Sequence, residues 1–124
     1  MPVNVPTSLV QQLMEVGYLA TGGGMAGEAS TIFAAVEAVR PESELPLVGH
    51  GVTHLNAGKT NEGIAVLRKA LEKNPDSEFA ATFLGLALVQ AGLSQAAEHI
   101  LKQVVVSGKD PRAVELSRSL LSGE

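Results

Sequence analysis

The sequence contains no cysteine and no tryptophan. Disulfide frameworks and most structural zinc sites are therefore excluded. Aromatic residues make up only 3%, with a single Tyr, so any core is built from thin aliphatic layers rather than bulky rings. Basic residues are few and scattered: nine Lys and Arg stand against thirteen Asp and Glu, giving a net charge of −4. Without a basic stripe, nucleic acid is disfavoured as a partner. No apolar run approaches the ~20 residues that span a bilayer, so membrane insertion is not expected. Met1–Pro6 lacks a basic stretch followed by an apolar one, so no secretory leader is read and the expected location is the cytoplasm. Hydrophobic residues make up 45%, too many for a disordered chain. A length of 124 residues predicts a single domain over 1–124, with little room for a separate catalytic unit.

What the chain does have is an internal repeat. A shift of 34 residues lays it on itself. Gly17 maps to Gly51 and Gly85, and Gly24 to Gly58 and Gly92. Ala29 maps to Gly63 and Ala97, Phe33 to Leu67 and Leu101, and Val36 to Ala70 and Val104. Pro41 maps to Pro75, whereas the third copy has Lys109 there and its proline, Pro111, comes two residues late. The first two copies open with two large positions before a glycine, as in Leu13, Val16 and Gly17, and the third has Ala81, Leu84 and Gly85 there. Each continues with a small residue four before a large one, as in Ala29 and Phe33. The glycine allows close approach of two helices, and the proline ends the second helix.

Helices are predicted over 7–21, 26–40, 44–57, 60–74, 78–91, 94–107 and 111–122. Gly24, Gly58 and Gly92 suit helix ends that need positive φ. Thr60 and Ser94 are expected as N-caps of the second helices. Asp110-Pro111 reads as an N-cap residue followed by proline in the first helical position. In the last helix Ala113, Val114, Ser117, Leu120 and Leu121 share a face that can cover the open side of the last repeat.

These columns resemble the tetratricopeptide repeat (TPR) pattern. The resemblance implies an all-α fold: three helix hairpins in a right-handed α-solenoid, with repeats near 10–43, 44–77 and 78–111, plus a C-terminal capping helix over 111–122. It also implies a concave side lined by the first helix of each hairpin. Carried over by register, the lining is Gln11, Met14, Tyr18 and Thr21, then Leu45, Val48, Val52, Leu55 and Asn56, then Phe79, Thr82, Leu86, Val89 and Gln90. Nine are apolar: Met14, Tyr18, Leu45, Val48, Val52, Leu55, Phe79, Leu86 and Val89. Exposed together they would reach the ~300–600 Å² of the largest patch on a typical monomer. Such a trough suits the apolar face of an amphipathic helix. It could instead be filled by the chain's own Met1–Pro6 arm or by a second copy. One TPR subclass grips a C-terminal carboxylate with Lys, Asn and Arg; here Met14, Tyr18, Phe79 and Phe83 stand at matching positions, so a heat-shock-protein tail is not the expected ligand.

Three motifs have a chemical look. Gly22-Gly23-Gly24-Met25-Ala26-Gly27 fits G-x-G-x-x-G, but a dinucleotide site needs a preceding strand, and 7–21 reads as helix. Gly58-Lys59-Thr60 resembles the end of a P-loop, but Thr53 stands where its first glycine belongs. His50 and His54 have a metal-ligand spacing, without an adjacent Glu or a third ligand in sight. Acidic residues such as Glu15, Glu28, Glu37, Glu62, Glu72 and Glu98 alternate with basic ones, as on a solvated face. No enzyme, metal or cofactor is expected.

A narrower likeness covers nearly the whole chain. It rests on Leu9-Val10…Val16-Gly17-Tyr18-Leu19-Ala20, on Glu28-Ala29…Ile32-Phe33…Val36-Glu37-Ala38-Val39-Arg40-Pro41, on Pro75-Asp76-Ser77…Ala80…Leu84-Gly85-Leu86-Ala87-Leu88, and on Ser107-Gly108-Lys109-Asp110-Pro111-Arg112-Ala113-Val114…Leu120-Leu121. These segments resemble the small TPR-like chaperones of bacterial type III secretion systems, of the needle-subunit and Hrp-system types. The resemblance implies a client, a small helical needle subunit whose amphipathic helix is held in the groove until export. It also implies a small helical co-chaperone over the N-terminal part. A general interaction scaffold, self-associating when alone, is the alternative. The Gly22–Gly24 run and the thin aromatic content depart from that family.

Overall fold

The computed structural model describes residues 4–123. Seven helices follow one another: α1 (Thr7–Gly22), α2 (Ala26–Val39), α3 (Leu45–Asn56), α4 (Thr60–Lys73), α5 (Glu78–Gln90), α6 (Ser94–Ser107) and α7 (Pro111–Ser122). Each boundary falls within a residue of the one read from the periodicity. The fold is all-helical, three hairpins and a closing helix.

The three hairpin turns are copies of one device. Gly24, Gly58 and Gly92 sit at φ near +78°, where only glycine is unstrained. In the second turn Gly58 N–H donates to the Leu55 carbonyl and Lys59 N–H to that of His54, at 3.1 and 2.8 Å. Met25 and Leu93 donate in the same way to Ala20 and Leu88. These paired bonds satisfy the last carbonyls of the first helix. The turn is so short that Lys59 and Leu93 also serve as N-caps of the next helix, and neither forms a side-chain cap. Thr60 and Ser94 thus lie one residue inside their helices, and the capping role expected of them is not realised. Side-chain caps occur where the connection is longer: Ser77 Oγ accepts from Ala80 N–H at 3.2 Å, and an Asp110 carboxylate oxygen from Arg112 N–H at 2.9 Å.

Between hairpins the prolines act as expected. Arg40 and Asn74, each just before a proline, leave the helical region with φ near −140°. The late proline of the third copy also has its reason. Gly108, at φ 59°, ends α6, which frees Pro111 to open α7.

The first helices α1, α3, α5 and α7 touch in succession, while among the described residues α2, α4 and α6 do not touch one another. A stack in contact on one side and splayed on the other curves toward the side in contact, so the concave face belongs to the first helices. Inside each hairpin a glycine meets the large residue of the second helix. A Cβ at Gly17, Gly51 or Gly85 would come within 2.5–2.6 Å of Phe33, Leu67 or Leu101, all fully buried. Phe33 is larger than its counterparts and needs a second gap, which Gly49 of α3 provides at 2.5 Å.

Two buried hydroxyl pairs tie first helices together. Thr21 and Thr53 lie 2.9 Å apart between α1 and α3, and Thr82 and Ser117 lie 3.1 Å apart between α5 and α7. Each of the three threonines also lies within hydrogen-bond distance of the carbonyl one turn back; with one proton per hydroxyl, one of Thr21 and Thr53 donates across the pair and the other to its carbonyl, so these hydroxyls are not stranded. Of the face expected to close the solenoid, Ala113 and Ser117 are buried, whereas Val114, Leu120 and Leu121 remain half-exposed.

Candidate functional site

The groove is built from one face of α1, α3 and α5. Its side chains do not all point the same way. Thr21 reaches forward to Thr53 of α3, and Thr82 forward to Ser117 of α7. In register, Leu55 occupies the place of Thr21, and Val48 that of Thr82. Val48 and Leu55 are 0% and 5% exposed, within the main core cluster, and Leu55 stands over Gly63 of α4. Their expected role as groove lining is corrected: they offer no surface to a partner. The positions leaning forward are core, and those pointing straight out form the lining.

The rest of the expected set keeps some exposed surface. Met14 and Tyr18 are half-buried against Ala20, Ala29 and Phe33, with the Tyr18 ring edge-on to Phe33 at 5.2 Å. Burial pushes the Tyr18 phenol up to about 12, so it is neutral at any ordinary pH. Val52 and Leu86 lean on the core cluster with an outer side open. Leu45 and Val89 are 41% and 45% exposed. Phe79 lies under the Arg112 guanidinium, 4.9 Å from the ring centroid. Tyr18, Val52 and Leu86 make the regular row, one per first helix. Beside them stand Gln11, Asn56 and Gln90, so the lining of these three helices carries neither a carboxylate nor a cation.

The histidines belong elsewhere. His50 sits edge-on to Phe33 at 5.8 Å, and its Nε2 is 3.7 Å from a Glu37 carboxylate oxygen. Burial holds its pKa below the ordinary value; Glu37 opposes this and His54 adds to it. Among the described residues no three His, Asp or Glu side chains converge as metal ligands would. In the glycine run Gly22 ends α1 and Gly23–Gly24 make the turn to α2, with no strand before it among the described residues. Of the Met1–Pro6 arm, residues 1–3 lie outside the described residues, and the Val5 carbonyl accepts from Arg40 at the end of α2.

A second apolar surface was not foreseen. Leu9, Val16 and Leu19 of α1 are exposed, Leu19 to 75%. In register Val16 matches His50 and Leu84, and Leu19 matches Thr53 and Ala87. On α3 these positions meet the preceding hairpin, through His50 on Phe33 and Thr53 on Thr21. On α1 there is no preceding hairpin among the described residues. The signal lay in the alignment itself, as large apolar residues in columns whose other members are inter-hairpin contacts.

A family profile described as tetratricopeptide repeat matches residues 54–120, just over half of the chain. The chain belongs to the tetratricopeptide repeat family. No curated protein matches it. Solved structures repeat the TPR fold at low identity. A T3SS complex from Aeromonas hydrophila aligns at TM-score 0.71 and 20% identity over 95% of this chain and 81% of that one. The Yersinia enterocolitica type III secretion chaperone SycD, in complex with a peptide of the translocator YopD, aligns at 0.72 and 17% over 98% and 95%. The second TPR domain of human RPAP3, in complex with an HSP70 peptide, aligns at 0.67 and 16% over 93% and 97%. Membership of the tetratricopeptide repeat family is consistent with a protein-binding scaffold. No helix among the described residues is long and apolar enough to cross a membrane.

Proposed function

We propose that this TPR protein is a cytoplasmic chaperone for a small helical subunit of a type III secretion system, of the needle-subunit kind. Its groove holds the client's amphipathic helix and keeps the client from polymerising before export. The observation that carries this reading is the uncharged apolar row of Tyr18, Val52 and Leu86, flanked by Leu45 and Val89. An apolar helix face gains there by leaving water, at about 25 cal/mol per Å². The row itself offers no charge to a peptide end, and Arg112 of α7 stands over Phe79 at one edge of the lining. The likeness to a secretion chaperone solved with a translocator peptide supports the class of client.

The strip of Leu9, Val16 and Leu19 fits the second implied partner, a small helical co-chaperone standing where a preceding hairpin would. Two surfaces on one small chain favour a three-part complex over a simple scaffold.

The test is co-expression with the small open reading frames beside the gene, followed by light-scattering mass after size exclusion. A complex with one short helical subunit, lost on Val52→Asp while helicity is retained, supports the chaperone. A homo-oligomer unchanged by those neighbours overturns it and makes the groove a self-association surface.

A further inference from the structure

We propose that the cleft between α4 and α6, on the side away from the groove, is a docking site for a lysine side chain of a partner protein. The chain carries its own template, because one repeat earlier its own Lys73 occupies the matching place. Nothing in this reading depends on what the groove holds.

The filled copy lies between α2 and α4. Lys73, the last residue of α4, reaches back to the turn between α2 and α3, where its Nζ donates to the Pro41 carbonyl at 2.9 Å. Glu42 and Glu44 belong to the same turn. The 34-residue shift carries Pro41, Glu42 and Glu44 to Pro75, Asp76 and Glu78. The acceptors therefore recur at the passage from α4 to α5.

The lysines do not recur. Lys69 and Lys73 of α4 become Gln103 and Ser107 of α6. Both replacements are turned to other groups. Gln103 Nε2 lies 3.2 Å from His99 Nε2, and Ser107 Oγ donates to a Glu78 carboxylate oxygen at 2.6 Å. A cavity of about 360 Å³ is left in this copy. Leu71, Ile100 and Val104 give it an apolar wall, and Pro75, Asp76 and Glu78 line it too.

The chemistry of these walls identifies the occupant. Lysine lays its methylene stem along apolar surface and keeps its ammonium at a polar edge. The ammonium has three N–H donors, while a proline carbonyl and two carboxylates only accept. Glu78 already accepts from Ser107 and from the Lys109 and Asp110 N–H groups, three of the roughly four bonds a carboxylate can take. Those bonds keep it ionised. Lys109 also lines the cavity and is the cation there, against Asp76 and Glu78, so the site retains a net negative charge. The source of the ammonium is a protein segment rather than a free amine. Val106, 86% exposed, shares a second hollow on α6 with Gln103 and Ser107. A segment that puts a lysine into the cleft passes over this valine and takes it out of water.

The test is an NMR titration of the full ¹⁵N-labelled chain with a short capped peptide of Ala and Val around one central Lys. The control peptide has norleucine in place of Lys, which keeps the stem and removes the charge. Saturable shifts are expected at the Ser77, Ile100 and Gln103 amides, with the norleucine peptide about tenfold weaker for want of charge-assisted hydrogen bonds. Asp76→Asn, at an exposed position, is expected to weaken the Lys peptide about threefold at low salt, a difference that fades as salt screens the carboxylate. Ser107→Lys restores the lysine of the earlier repeat and is expected to abolish binding, with circular dichroism to establish that it folds. Val52→Asp in the groove is expected to leave this binding unchanged, so the two readings fail separately. If the Lys and norleucine peptides bind alike, or Asp76→Asn has no effect at low salt, or the shifts fall on Tyr18, Val52 and Leu86 instead, the proposal is overturned. Propylamine binding as tightly as the peptide would make the ligand a free amine and overturn the protein partner.

Discussion

Phe33 is the residue on which the first hairpin turns. It is fully buried, edge-on to Tyr18 and near His50, and pressed between Gly17 and Gly49. Gly49→Ala would place a methyl group 2.5 Å from a ring with nowhere to go. The expected loss is about 1–3 kcal/mol, as for other overpacked cores, read from denaturant or thermal melts. Phe33→Leu, which makes this hairpin like the other two, should recover part of that loss in the double variant. His50 gives a second prediction. Its folded pKa is depressed, so the folded state favours the neutral ring and the unfolded chain binds the extra proton. Stability is then complete above the unfolded value of 6.5 and is lost as pH falls through it toward the lower folded value. The melting temperature should decline from neutral pH to about pH 5. In His50→Leu, which copies Leu84 one repeat on, that part of the decline should vanish. Of these residues the repeat columns disclosed Phe33 and Gly17. Gly49 escaped because it breaks the column, with Glu15 and Phe83 as its counterparts; its purpose is visible only once Phe33 is seen to be too large for one gap.

At the scale of the helix, what periodicity reveals is the face and not the tilt. All seven helices were legible because each repeat carries its own stop signal, a glycine at positive φ or a proline. The lining was legible only in part. A 34-residue register says that Val48 and Val52 share a side of α3, but it does not say that Val48 is fully buried and Val52 only partly. The buried threonines Thr21 and Thr82 hold the missing information, since a hydroxyl placed among apolar neighbours must find a partner, and here each finds one on the next first helix. The N-caps were misplaced for a related reason: one residue closes one helix and opens the next, leaving no room for a side-chain cap. The attachment of α7 yields a prediction at this scale. Hydrogen bonds from Ser107, and from the Asp110 and Lys109 backbone, hold the Glu78 carboxyl below its usual range, so it stays ionised well into acid. Glu78→Gln keeps the shape and removes the charge. It should cost roughly 1 kcal/mol after solvent screening, and hydrogen exchange should accelerate in α7 before it does in α3 or α4.

On the scale of the molecule, the two apolar surfaces have different origins. The groove was legible because its residues recur with the repeat. The exposed strip of α1 was not legible, because a face that is core in the later hairpins reads as core in the first one too. With no hairpin before α1 among the described residues, Leu9, Val16 and Leu19 are surface. The succession of contacts has one more consequence, for the way the chain reaches this shape. α1 touches only α2 and α3, and among the described residues no helix touches one more than two places along the chain. Every contact therefore closes a short loop, and little chain entropy is lost before native contacts begin to form. Folding can start at any hairpin and spread by adding neighbours, each one stabilised by the last. Among the described residues the second and third hairpins have helices packed on both sides, so they open after α1–α2 and α7. A protein assembled in this way can loosen one helix pair without dissolving the rest.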